Sequence, residues 1–237
     1  SFPIYFIIVA SSIGVTVAGT SLIGNSIGEN NKKNVLYYFT HIIYFAILLS
    51  LLICFLGLFF SDDVFRLMVT TDEVTNLGLE YTNIIFSGSV LFILVVALNS
   101  MLHAEGDTKT YRNVLILSFF INLLLNPVLI FGLFIFPALG VKGLAISTIV
   151  SQFVAFIIIF LKLFNNKRIR EITREYFRPK LFYFINIFFT SMPIVISIFA
   201  YSITSAIVIA YIGQSGEYAV AGYGAGTRLE QVLLLPI

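Results

Sequence analysis

The chain has 237 residues, 59% of them hydrophobic and 11% charged, with 25 Phe, 12 Tyr, no Trp and a mean hydropathy of +0.99. Soluble domains carry about 25% charged residues, so there is too little polar side chain here to face water, which excludes a soluble enzyme, a disordered tail or a nucleic-acid binder. The net charge of +2 matters less than its placement, and the one cysteine, Cys54, allows neither an internal disulfide nor a Cys-rich metal site.

In chain order, apolar runs long enough to cross a bilayer fall at roughly 2–26, 36–60, 79–102, 112–135, 140–163 and 181–211, and another begins near 222. The short alternating strands of a membrane barrel are absent. The expected fold class is therefore an all-α integral membrane protein, a polytopic helical bundle. Both ends fall inside apolar runs, with no initiator Met and no basic signal region, so the sequence reads as an internal piece of a longer protein.

The loops alternate in charge. Those at 27–35, 103–112 and 162–180 hold 11 of the 14 Lys and Arg residues, whereas 61–80 holds Asp62, Asp63, Asp72, Glu73 and Glu80 against Arg66. The positive-inside rule puts the three basic loops in the cytoplasm. The 162–180 segment is long and basic, with Pro179 before the next span. It reads as a boundary between two bundles, or as an amphipathic surface helix on anionic lipid.

Most motifs weigh little against their plain readings. Gly222-Tyr223-Gly224-Ala225-Gly226 has no preceding strand to make it a dinucleotide loop. Gly24 and Gly28 read as close helix packing, Asp62-Asp63 as solvated acids and His41 as a packed or interfacial residue. His103-Ala104-Glu105 lacks the paired cysteines of a zinc deaminase.

The informative residues are amides and hydroxyls at membrane depth. Ser118, Asn122 and Asn126 are spaced i, i+4, i+8 on one helical face, and Pro127 frees the Leu123 carbonyl. Thr148 and Gln152 follow in the next span. Asn126 and Thr148 each stand 11 residues from Pro137, and Asn122 and Gln152 each stand 15 from it. An antiparallel hairpin turning there puts the pairs about 16 and 22 Å below the turn. Such a polar patch suits a coordinated cation or a proton-linked network, or else interhelical hydrogen-bond glue. A second stripe, Thr190, Pro193, Ser197, Tyr201 and Thr204, reads as a kinked cavity-lining helix or a packing seam. Glu230 is an acid on a transport path, or simply the partner of Arg228.

Gly132 to Thr148, preceded by Asn122-Leu-Leu-Leu-Asn126-Pro127, resembles the helix 5–6 hairpin of the multidrug and toxic compound extrusion (MATE) transporters. Glu105-Gly106-Asp107-Thr108-Lys109 resembles the family's loop after helix 4. Gly19 to Gly28 resembles the end of helix 2, and Ala225 to Glu230 with Pro236 the start of helix 8 in the prokaryotic branch. The resemblance implies a fragment of a two-lobe, twelve-helix transporter. Residues 1–161 would be helices 2–6 of the first lobe, 162–180 the inter-lobe connector, and 181–237 helix 7 and the beginning of helix 8. It implies a secondary antiporter, not an enzyme, in the bacterial or archaeal inner membrane. By alternating access it would export cationic or amphipathic small molecules against sodium or protons, as a monomer, with no cofactor and no nucleic-acid partner.

The family's first-lobe cation site maps onto Asn122 and Thr148, with Asn126 where the family has an Asp. These three are the candidate coupling residues, for sodium or a proton network, and Asn99, Gln152, Ser197, Tyr201 and Glu230 are weaker candidates. A flippase moving a lipid-linked glycan is the alternative within the superfamily, though the spans hold almost no basic residue. A membrane scaffold is the alternative outside it.

Overall fold

In hydrocarbon every backbone N–H and C=O has to find its partner inside the protein, and the chain meets this with helices. The computed structural model describes residues 2–68, 72–133, 135–213, 219, 222–227 and 229. Seven helices are named here: α1 (Phe2–Gly28), α2 (Lys32–Met68), α3 (Asp72–Ser87), α4 (Ser89–Ala104), α5 (Thr108–Phe131), α6 (Val141–Phe164) and α7 (Leu181–Gly213). Five of them are long and apolar enough to cross a membrane, and α3 and α4, bent by 41° at their junction, are so only as a pair. The multi-pass membrane fold read from composition is thus the observed one.

Two boundaries differ from the sequence reading. The segment 61–80 was expected as a loop, yet α2 runs on to Met68 and α3 begins at Asp72. Charge limits how deep a helix sits in lipid but does not end it, and Ser61–Met68 has neither Gly nor Pro to do so. The expected single span 79–102 breaks at Gly88 instead. A side chain there would meet Ile149 Cδ1 of α6 at 2.5 Å, so the bend lies where α6 presses on bare backbone.

By contact the chain divides into two units, Ser1–Val195 and Ile196–Ile237. In the first, α1 packs on α2 and α4 through buried Val15, Ala18, Ile23, Ile42, Ile93 and Met101. The opposite faces carry large apolar residues in the open, such as Phe59 at 67% and Leu124 at 67% exposed. That outward belt is a lipid-facing surface. The second unit holds the rest of α7 and the helical residues 222–227.

The α5–α6 hairpin is closed by its backbone. Gly132 takes a left-handed conformation (φ 69°), and Leu133 N–H returns to the Val128 carbonyl at 3.0 Å. Leu139 and Gly140 then donate to the Leu129 and Ile130 carbonyls at 2.9 and 3.2 Å, satisfying the end of α5. Gly140 sits at φ 54°, ψ −128°, open in practice only to glycine. At Gly143 a Cβ would come within 2.7 Å of the Leu129 backbone, so the two helices touch main chain to main chain.

The three basic loops meet at one end of the first unit. Lys162 pairs with Asp107 at 3.4 Å, and Glu105 takes Arg168 at 3.5 Å and the Asn166 amide at 2.6 Å. Lys142 and Glu80 pair at 3.2 Å, joining the starts of α6 and the α3–α4 span. Exposed pairs of this kind contribute about 0–1 kcal/mol each, so they report which loops are neighbours more than they stabilise. The 162–180 segment is not a surface helix. It forms two short 3₁₀ turns, Ile169–Glu171 against α6 and Arg174–Phe177 against α2.

Asp107 caps α5, its carboxylate accepting the Thr110 N–H at 3.0 Å and the Thr110 hydroxyl at 2.7 Å. The Thr110 hydroxyl and amide bonds, with smaller help from Lys162, hold this carboxyl below its ordinary value of 3.8. A depressed carboxyl contributes stability that is full above about pH 4 and fades as pH falls through the native value. Asp107→Ala is expected to lower stability at pH 7 by about 1 kcal/mol, with a smaller difference at pH 3, measured by thermal unfolding in detergent. Orientation is checked separately in a Cys54→Ala background of the whole protein. Cysteines at Asp63 and Asn76 should react with an impermeant thiol reagent outside intact cells, and cysteines at Lys33 and Arg170 should not.

Candidate functional site

The face of α5 spaced by fours meets α6 through a closed ring of neutral groups. Asn126 Nδ2 donates to Asn122 Oδ1 at 2.9 Å. The Asn122 amide donates to Thr148 Oγ1 at 3.3 Å and to Ser147 Oγ at 3.4 Å. The Ser147 hydroxyl in turn reaches Asn126 Oδ1. One turn further along α6, Ser151 bonds the Ser147 carbonyl at 2.8 Å, and Ser118 of α5 reaches the Ser151 carbonyl at 3.4 Å. Ser147 is fully buried and the two asparagines and Thr148 are half-buried. Each amide finds a partner inside the protein, as hydrocarbon requires.

Of the sequence candidates, Asn122, Asn126 and Thr148 are therefore brought together. The register differs from the expected one: Asn122 meets Ser147 and Thr148, not the level of Gln152. Counting helical rise to Pro137 fails because α5 stops at Phe131, α6 starts only at Val141, and Gly143 packs back on Leu129. Gln152 instead lines a cavity of about 370 Å³ between α1, α4, α5 and α6. Its other polar lining groups are Ser12, Thr16, Tyr111 and Ser118, among apolar residues such as Phe92 and Val95.

Asn99 stands apart from both features. It is fully buried in α4 with Nδ2 3.1 Å from His103 Nε2, while its Oδ1 is buried without a hydrogen-bond partner. Ser197 is an exposed residue of α7 in the second unit. The Tyr201 side chain and Glu230, with Arg228, lie outside the described residues. The sequence reading missed Ser147, Ser151, Ser12 and Thr16. Each pair is spaced by four within an apolar helix, which is the signal that would have found them.

The ring offers only neutral oxygens: Asn122 Oδ1, Asn126 Oδ1, Ser147 Oγ and Thr148 Oγ1. Hard cations take such ligands. Neither the ring nor the cavity lining contains a carboxylate, and the described residues hold no cluster of three His, Cys, Asp or Glu. Position 126 thus contributes a neutral amide to the ring.

The MatE family model matches residues 1–128. The chain belongs to the MATE family. This is a family of transporters and not of enzymes. The chain is 28% identical to the probable multidrug resistance protein YoeA of Bacillus subtilis (strain 168), over 99% of this chain and 51% of that protein. It is 30% identical to a probable multidrug resistance protein NorM of Thermotoga maritima, over 97% and 48%. It is 27% identical to a FAD transporter of Shewanella oneidensis, over 100% and 52%. It spans about half the length of these curated relatives. An outward-facing MATE family transporter of the MOP superfamily superposes with a TM-score of 0.91 at 25% identity, covering 99% of this chain and 52% of the solved chain. A MATE family transporter in the inward-facing conformation gives 0.85 at 25% identity, covering 99% of this chain and 53% of the solved one.

Removing Asn122 leaves Asn126, Ser147 and Thr148 each short of a partner. Asn122→Ala is expected to lower stability by about 1–3 kcal/mol. Asn126→Asp puts a carboxylate, which only accepts, against the Asn122 carbonyl. Its melting temperature in detergent should rise with added sodium at pH 8, while the Asn126 protein responds little.

Proposed function

We propose that the whole protein is a secondary active antiporter. It exports cationic or amphipathic small molecules in exchange for sodium or protons, by alternating access, across the inner membrane of a bacterium or archaeon. The observation that carries this reading is a ring of neutral oxygens at the α5–α6 contact, beside a mostly apolar cavity with a few polar groups, in a chain of this family. Residues 1–161 would form helices 2–6 of the first lobe, 162–180 the connector and 181–237 the start of the second lobe. The protein would work as a monomer in the bilayer, with the coupling ion as its only inorganic requirement.

The ring would act as a cation selector without charge. A cation entering it takes the carbonyl of Asn122 away from the Asn126 amide, so binding and the α5–α6 contact share the same groups. A ligand shifts a conformational equilibrium only through such a differential interaction. A carboxamide does not titrate, so proton uptake would fall to an acid elsewhere, with Glu230 the candidate. Phe92 and Tyr111 in the cavity wall offer aromatic surface to an amphipathic cargo.

The absence of acids from that lining favours a second cargo class as well, anionic or neutral planar compounds, and one relative is named a FAD transporter. A lipid-linked glycan would call for Arg or Lys in the lining, and the cavity has neither.

The test uses the whole protein in liposomes with imposed sodium and pH gradients. A cationic dye and a flavin nucleotide serve as separate cargos. An inward ion gradient should drive export of the dye, with Asn122→Ala slowing it without loss of membrane expression. Gradient-independent leakage of both cargos, or unchanged transport and ion dependence in both Asn122→Ala and Asn126→Asp, would reduce the ring to helix packing. Flavin export alone would shift the cargo class.

A further inference from the structure

The first turns of α2 hold the 162–180 connector largely by its backbone. The Thr40 hydroxyl lies 2.9 Å from the Tyr176 carbonyl, and the Tyr44 hydroxyl donates to the Phe177 carbonyl at 3.1 Å. His41 Nε2 accepts the Lys180 N–H at 2.9 Å. Side chains complete the seam: the Tyr37 hydroxyl donates to Glu175 at 3.2 Å, the Tyr183 hydroxyl to Asn34 at 3.0 Å, and the Asn186 amide to the Tyr38 hydroxyl at 2.9 Å.

His41 is at the centre of this seam and has no exposed surface. Its Nδ1 lies 2.7 Å from the Tyr37 carbonyl, which can only accept. Nδ1 therefore carries the ring hydrogen, and Nε2 offers the lone pair that the Lys180 N–H requires. Both bonds exist together only for a neutral imidazole. An imidazolium has hydrogens on both nitrogens, so Nε2 would point a donor at a donor.

The surroundings do not compensate for a charge. On α2 the ring faces Tyr37 and Tyr44, and on α7 Tyr183 and Phe184 at 5.1 and 5.2 Å. From the connector it meets Lys180, whose ammonium sits 3.7 Å over the Tyr37 ring, and beyond Tyr37 come Tyr176 and Glu175. Glu175, the carboxylate in this set, is engaged by the Tyr37 hydroxyl.

We propose that His41 is a proton-sensitive clasp, whose neutral ring fastens the connector and the first turn of α7 to α2 and whose protonation releases residues 174–180. The proton goes to the Nε2 lone pair, and the Lys180 N–H is the group set free. Docking is complete at high pH and is lost as pH falls. This inference concerns a conformational equilibrium and stands apart from what the protein transports.

Spin labels at Lys33→Cys and Arg178→Cys, in a cysteine-free background of the whole protein in nanodiscs, report the distance across the seam by pulsed electron resonance. One narrow distance is expected at pH 8. At pH 5.5 a longer, broader population should be at least threefold larger. His41→Gln keeps one donor and one acceptor but does not titrate, so its narrow distance should persist at both pH values. His103→Gln, at the other histidine of this chain, should behave as the unmodified protein. Tyr44→Phe removes one backbone bond and should move the release to higher pH, which tests the clasp even where His41→Gln does not fold. A distance that ignores pH, the same pH response in a folded His41→Gln, or an unmoved midpoint in Tyr44→Phe would overturn the proposal.

Discussion

The rest of the structure depends on one constraint: polar groups placed in hydrocarbon find their partners inside the protein or not at all. It explains why the long apolar runs among the described residues are helical. It also explains the end of α5, where the orphan carbonyls of Leu129 and Ile130 are taken by Leu139 and Gly140 before the chain re-enters the membrane region. Gly143 contributes by letting α6 approach the α5 backbone without a side chain between them.

The same constraint shapes the asparagine ring. Two amides and two hydroxyls bond one another here, and both hydroxyls also reach the Leu144 carbonyl, all without a formal charge. An acid at position 126 would bring either a charge or a proton into that ring. The asparagine brings neither, so the ring stays neutral at every pH. The polar lining of the adjoining cavity is neutral in the same way, with Gln152, Ser118, Ser12 and Thr16 in place of acids.

The far end of the first unit follows a different logic because water is nearby. Its exposed ion pairs, Lys162 with Asp107 and Arg168 with Glu105, fix which loops are neighbours at little energetic gain. The specific work there is done by buried groups, His41 above all, that recognise the connector's main chain. A segment whose basic side chains look made for lipid is thus held through the atoms its sequence does not vary.

The sequence by itself determined the all-helical membrane class, because hydropathy and loop charge act locally and survive without coordinates. It also determined that Asn122, Asn126 and Thr148 share one patch, since helical spacing and a single hairpin are enough to bring them together. It misjudged the 61–80 segment and the break at Gly88, because charge marks membrane depth and not helix ends, and the bend depends on Ile149 arriving from α6. Only the tertiary structure decided that Ser147 closes the ring, that Gln152 turns to the cavity, and that His41 is the acceptor for Lys180. Those outcomes rest on the crossing of α5 and α6 and on contacts between residues more than a hundred positions apart, which no periodicity along a single helix records.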